Sequence, residues 1–319
     1  MKVEKTKDYS VATEFLNGCF SAPTHWPDWN LLVSRAFNTH FFYLMAWEEG
    51  RVIGLCPVHE TRYKKQLRKR QSGQVHFIPF GGWIFNQPTP VERVHFDISN
   101  QTSFEGFSLP LLEAFNCQYS NLKTNAKATL VIELEASEEE IWKNSLESKR
   151  RNMVRKAEKK GVTVRRATTS QDMDTFYQLY AEASRRNGLD LLSRDFFTGL
   201  AHDCPNISMD ILGAYKGENQ LANVVIISDK DYALYWLGNN AAGNKNDGQG
   251  ELLQWEAIKL AKSRGCRYYD LCYVEPKRLP NIYRFKKGFC KNEVPLKHFT
   301  LRPLLFRVLN KAFKQITTS

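Results

Sequence analysis

The sequence predicts an α/β (α+β) protein made of two similar domains in tandem. Three observations predict it. The chain has 319 residues, and at ~100–200 residues per domain that is two-domain length. A hairpin pattern occurs twice, around residues 41–60 and 211–228, with Leu44-x-Ala46-Trp47 in the first matching Leu212-x-Ala214-Tyr215 in the second. Third, residues 232–272 read as strand, polar loop, helix and strand in succession. Apolar residues are 42% and aromatic residues 13%, enough large side chains for two cores, which excludes a disordered chain.

In chain order, FFYLMAW, EEGR and VIGLCPVH form the first strand–turn–strand. RYKKQLRKR (62–70) follows, with six basic residues in nine; it reads as an exposed loop, either simply solubilising or suited to a polyanion. Ser137 and Glu140 make a capping box, and Gly161 a stop, for one basic helix over 138–160. On it Trp142, Leu146, Met153 and Ala157 form an apolar stripe, and Arg151, Arg155 and Lys159 a ridge on nearly the opposite face. Nine of the eighteen residues in 149–166 are Lys or Arg. A basic end suits the helix dipole but does not explain that density, so a solvated face and a phosphate-binding face weigh equally.

Residues 172–186 give an amphipathic helix with Phe176, Leu179, Tyr180 and Ala183 at core spacing. The second hairpin is ILGAY, KGEN, QLANVVIIS, and YALYWLG is the next strand. The loop 239–250 enters the helix ELLQWEAIKLAKSR through Gly248, Gln249 and Gly250. Free N–H groups there could hold a phosphate or carboxylate, or the loop could be an ordinary glycine-rich connection. CRYYDLC then places Asp270 at a strand end, where open α/β sheets gather functional side chains. NIYRFKKGF brings Tyr283, Arg284, Phe285, Lys286 and Lys287 together, cations able to neutralise a phosphate or an oxyanion.

Lys and Arg number 45 against 34 Asp and Glu, a net charge of +11. That balance favours polyanionic partners: RNA, nucleotide phosphates or an anionic membrane surface. Seven scattered cysteines without a C-x-x-C, and seven scattered histidines, point to reduced thiols and no metal site. No apolar run reaches the ~18–20 residues of a bilayer span, and no apolar segment follows the charged N-terminus as in a signal peptide. There is no G-x-S-x-G and no cysteine nucleophile with a histidine motif, so covalent catalysis is not indicated.

Several segments, in order, carry a family resemblance: SKRRNMVRKAEKKGVTV (148–164), FYQLYAEASRRNGL (176–189), ELLQWEAIKLAKSRGCRYYDL (251–271) and IYRFKKGF (282–289). WNLLVSRAF and VIGLCPV match more loosely. Together they resemble the Fem-type aminoacyltransferases, which build peptidoglycan bridge peptides, and their acyltransferase relatives of the GNAT superfamily. The resemblance implies two tandem GNAT-like domains: residues 1–128, completed by 295–319, and residues 129–294. A heptad run for the coiled-coil tRNA arm of some peptidoglycan enzymes is missing, so the chain resembles the compact, armless members.

The resemblance also implies roles. Phe285 and Lys286 match the Phe-Lys of the family's F-K-x-x-F element, where the Lys lies at the acceptor or tRNA phosphate and stabilises the transition state. Arg186 matches the Arg facing the acceptor channel, and Asp270 the Y-D-L strand end. Cys290 follows Phe289 where many members have Gly. On this reading Lys286 gives electrostatic stabilisation, and Asp270, Tyr269 or Tyr283 handles protons. Arg151 and Arg155 hold donor phosphates, and no metal or tightly bound cofactor is required.

The first expectation is transfer of an aminoacyl group from aminoacyl-tRNA to an amine of a cell-wall or polysaccharide precursor. The reaction would run in the cytoplasm, with peripheral contact at the inner membrane face as an option and DNA excluded as a partner. The alternative is an acyl-CoA-dependent N-acyltransferase acting on an amino sugar in surface-polysaccharide synthesis. A non-enzymatic binder of RNA or anionic membrane is a third class, and the intact F-K and Y-D-L elements count against it.

Overall fold

The computed structural model describes residues 1–63, 67–73, 80–94, 102–107, 110–111, 113–118, 124–243, 245–274, 276–277, 279–301 and 303–309. The chain divides into two compact units: Met1–Ala126 with Pro295–Ser319, and Lys127–Val294.

The first unit starts with β1 (Lys2–Thr6), α1 (Tyr9–Asn17) and α2 (Pro27–Ala36). The hairpin β2 (His40–Glu48)–β3 (Arg51–Tyr63) follows, then β4 (Leu67–Ser72), the two-residue strands β5 (Ile84–Phe85) and β6 (Thr89–Pro90), β7 (Thr102–Phe107) and β8 (Cys117–Gln118). Glu49 and Gly50 both have positive φ, 51° and 76°, the backbone a two-residue hairpin turn needs to follow the strand twist. Trp26, Trp29, Phe42, Tyr43 and Phe85 are fully buried in this unit. The expected basic loop 62–70 is largely strand instead. Arg68 and Arg70 pair with Glu60, and Lys69 with Glu105, across β3, β4 and β7; residues 64–66 lie outside the described residues.

β9 (Thr124–Glu133) leads to the elements of the second unit: α3 (Glu138–Asn144), α4 (Ser148–Lys159), β10 (Thr163–Arg166), α5 (Ser170–Arg186), α6 (Arg194–His202), β11 (Ser208–Lys216), β12 (Asn219–Ser228), β13 (Tyr232–Asn240), α7 (Gln249–Ser263), β14 (Tyr268–Asp270) and α8 (Pro280–Lys287). β15 (Glu293–Leu301) follows and pairs antiparallel with β7.

The two units share one plan. β1–α1–α2–β2–β3–β4 in the first repeats as β10–α5–α6–β11–β12–β13 in the second. β4 then pairs parallel with β7, and β13 parallel with β14. The hairpins even carry a β-bulge at matching places, Ala46/Trp47 and Ala214/Tyr215, the residues that match in sequence. An irregularity kept at the same step of both copies marks a built feature of the plan.

The single helix expected over 138–160 is two. Its capping box at Ser137 and Glu140 is present, but the chain breaks at 145–147. Leu146 is buried there, and Glu147 N–H donates to Gly288 C=O (2.9 Å). A tertiary hydrogen bond thus replaces the intrahelical one. The loop expected over 239–250 is shorter, because β13 runs to Asn240 and α7 begins at Gln249.

Candidate active site

The site lies in the second unit, where two parallel strands part. β13 and β14 pair only at Tyr232/Tyr268, Ala233/Tyr269 and Leu234/Asp270. Beyond Asp270 the chain stays with β9: Leu271 N–H donates to Leu130 C=O (2.9 Å) and Val274 N–H to Ala128 C=O (2.8 Å). β13 instead continues beside β12, with a bulge that leaves Trp236 outside the ladder. A cleft of about 610 Å³ lies against the β13 extension. Its wall comes from β12, β13, the end of α5, the start of α7 and α8.

Lys286 projects from α8 into this cleft and is 9% exposed. Its Nζ donates to Tyr273 C=O (3.3 Å) and lies 5.5 Å from the centroid of the Tyr235 ring. Burial pulls its pKa below the ordinary lysine value, opposed by the carboxylate of Asp270. Asp270 is fully buried and accepts from Thr129 Oγ1, from the Tyr232 hydroxyl (2.7 Å) and from Cys272 N–H (2.7 Å). Burial nevertheless raises its pKa to about 6, against these hydrogen bonds. Cys272, two residues on, has φ 60°, a left-handed turn that takes the chain off the strand end. Burial pushes the Tyr235 hydroxyl up to about 12. Gln254, fully buried, accepts from Tyr269 (3.0 Å), while its Nε2 has no hydrogen-bond partner among the described residues.

One end of the cleft is the start of α7. Gly248, the N-cap, has φ 93° and supplies no side-chain cap. The first N–H groups of a helix have no partner within it, and Gln249, Gly250 and Glu251 line the cleft. Arg150 stands beside this end. It pairs with Glu251 (2.7 Å), donates to Arg284 C=O (2.9 Å) and stacks on Phe285, 5.0 Å from the ring centroid. A Cβ on Gly288 would come 2.4 Å from Arg150 Nε, so glycine at 288 is what lets this guanidinium in.

Of the residues expected from sequence, Lys286, Phe285 and Arg186 line the cleft. Arg186 donates to Asn240 C=O (2.8 Å). Asp270 is near enough to bias Lys286 but does not itself line the cleft. Three residues lie elsewhere. Arg151 donates to the carbonyls of Trp142, Lys143 and Leu146 and so caps the end of α3. Arg155 is exposed and stacks on Trp142 at 5.5 Å. The Tyr283 hydroxyl is tied to Glu293 (3.1 Å). Sequence reasoning missed Arg150, Glu251, Tyr235 and Gln254. The pairing of Arg150 with Glu251 spans 101 positions and leaves no local signal.

A family model described as an acetyltransferase (GNAT) domain matches residues 146–287. No curated protein matches the sequence at a significant level. Among solved structures, FemX is similar over 97% of this chain and 99% of its own, at 11% identity and a TM-score of 0.67. The C-terminal domain of a putative lysylphosphatidylglycerol synthetase from Agrobacterium fabrum matches over 96% of each chain, at 15% identity and a TM-score of 0.58. L-PGS from Bacillus licheniformis matches over 94% of this chain and 93% of its own, at 12% identity and a TM-score of 0.53. The matched segment runs from the break before α4 to the end of α8 and so contains the whole lined cleft. The segment 146–287 therefore matches the acetyltransferase (GNAT) domain model, and the chain as a whole shares the fold of FemX.

Proposed function

We propose that this acyltransferase moves an activated aminoacyl group from aminoacyl-tRNA to an amine of a cell-wall or polysaccharide precursor, in the cytoplasm. The observation that carries the reading is Lys286, a buried ammonium on the wall of an open polar cleft. In such a site a fixed positive charge is worth far more than in water. As the acceptor amine attacks the carbonyl carbon, charge grows on the carbonyl oxygen and Lys286 neutralises it. The carbon–oxygen bond to the tRNA ribose then breaks. The Tyr235 hydroxyl, protonated at neutral pH, supplies a proton to the leaving oxygen, and the proton that the amine releases to water is matched by one that water returns to Tyr235. Phe285 and Arg186 orient the two substrates, and Asp270 positions Lys286. A neighbour named for lysylphosphatidylglycerol synthesis is named for a product bearing an aminoacyl group, and the +11 charge suits an RNA donor.

A second reading has a specific observation behind it. The uncapped start of α7 faces the cleft and suits the pyrophosphate of an acyl-CoA, with an amino sugar as acceptor. Carbon–sulfur cleavage then replaces carbon–oxygen cleavage. A titration with acyl-CoAs and charged tRNAs at low and near-physiological salt separates the two. Charged tRNA that binds through the salt step and beats uncharged tRNA supports the first reading. Saturable CoA binding, with tRNA binding lost in salt, replaces it by the second.

A further inference from the structure

The second unit exposes five large apolar side chains among its described residues, and all five come from two segments flanking the cleft. Leu189 (61% exposed) and Leu191 (43%) follow Arg186 and Asn187, which line it. Tyr273 (37%), Leu279 (44%) and Ile282 (47%) come from the α8 side: Tyr273 C=O holds Lys286, Leu279 is the N-cap of α8, and Ile282 lines the cleft. The interior is the opposite in character. Asn223, Asn239, Asn240, Asn246, Gln249 and Gln254 line it, so the apolar groups do not belong to a pocket for a greasy acyl chain. Exposed Arg185, Lys277 and Arg284 stand near them, and Asp190, between the two leucines, is an exposed acid among the described residues of these segments.

We propose that this rim is a docking surface for an anionic lipid bilayer, which it meets with the cleft of the second unit turned toward the membrane. Apolar side chains that reach the acyl boundary, beside cations that meet the headgroups, are the composition such a surface selects. A protein partner would favour large apolar groups inside a ring of polar ones; here Arg185 precedes the two leucines, and Lys277 and Arg284 stand among Tyr273, Leu279 and Ile282. Arg68, Lys69 and Arg70 of the basic segment 62–70, which the sequence suits to a polyanion, are partly neutralised by Glu60 and Glu105. The rim carries no such pairing for Arg185 or Lys277 among the described residues.

Vesicle cosedimentation tests the assignment without donor or acceptor, so its failure leaves the acyl-transfer reading in place. The intact chain should pellet with mixed phosphatidylglycerol–phosphatidylcholine vesicles, and much less with phosphatidylcholine alone or in high salt. Leu189→Ser/Leu191→Ser/Leu279→Ser should weaken binding at least about tenfold with an unchanged melting temperature. Arg185→Glu/Lys277→Glu, which removes no apolar contact, should do the same if the triple variant fails to fold. Leu304→Ser/Leu305→Ser, exposed apolar residues outside this unit, should bind as the parent does. Absence of binding to anionic vesicles, or rim variants that bind undiminished, overturns the proposal. Self-association in solution abolished by the rim substitutions overturns it too and assigns the rim to a second copy.

Discussion

Arg150 and Glu251 form a 2.7 Å ion pair with both side chains nearly out of solvent, at 12% and 5% exposure. The pair ties the start of α4 to the first turn of α7 and holds the Phe285 ring beneath the guanidinium. Breaking one partner of a buried pair leaves the other charge uncompensated. Arg150→Ala should therefore lower unfolding free energy by about 3–5 kcal/mol, read by denaturant titration. Arg150→Met with Glu251→Gln should recover much of that loss.

Lys286→Ala should cut turnover at least about tenfold, the factor that ~1.4 kcal/mol of lost transition-state stabilisation gives. Its circular dichroism should match the parent. Steady-state rates on the true donor and acceptor check this, and full activity in the variant would remove Lys286 from the mechanism.

Asp270 predicts an acid limb in the pH–rate profile. Its pKa stands at about 6, so above that pH it is a carboxylate that supports the Lys286 charge, and below it the support is lost. Turnover should fall as pH drops through about 6, and Asp270→Asn should remove that limb. Stability moves the other way. A carboxyl raised from 3.8 to about 6 costs stability as pH rises between those values, on the order of 3 kcal/mol. Thermal melts of parent and Asp270→Asn at pH 4 and 7 should show that difference.

Gly248→Ala should destabilise by more than about 2 kcal/mol, from its left-handed backbone and from a steric clash. The added Cβ would stand 2.1 Å from Met153 C=O in α4. A lowered melting temperature, with Gly243→Ala in the preceding loop (nothing near its Cβ) as the milder control, checks it.

What the sequence revealed was what local chemistry writes. The hairpins, the capping box at Ser137, the stop at Gly161 and the helix that carries Phe285 and Lys286 all depend on neighbours within a few positions. What it hid was set by distant contacts. The helix break at 145–147 depends on Gly288, more than a hundred positions away. From the basic segment 149–166 the residue at the cleft is Arg150, whereas Arg151, one position on, faces the end of α3. A density of charge identifies a segment but not its phase, because the phase is fixed by whichever carbonyl or carboxylate packs beside it. Tyr235 and Gln254 carried no signal, since an aromatic on a strand and an amide on a helix are ordinary core choices until the strands part beside them.

The first unit is written in two pieces, Met1–Ala126 and Pro295–Ser319, around an uninterrupted second unit. A ribosome delivers the chain from its N-terminus, and domains fold as units while they emerge. The second unit is therefore complete as soon as Val294 leaves the exit tunnel, while the unit begun first still lacks β15, the strand that pairs with β7. The order in which the units are completed is thus the reverse of the order in which they are begun: the first must wait with the β7 edge open until residues beyond Val294 have been made.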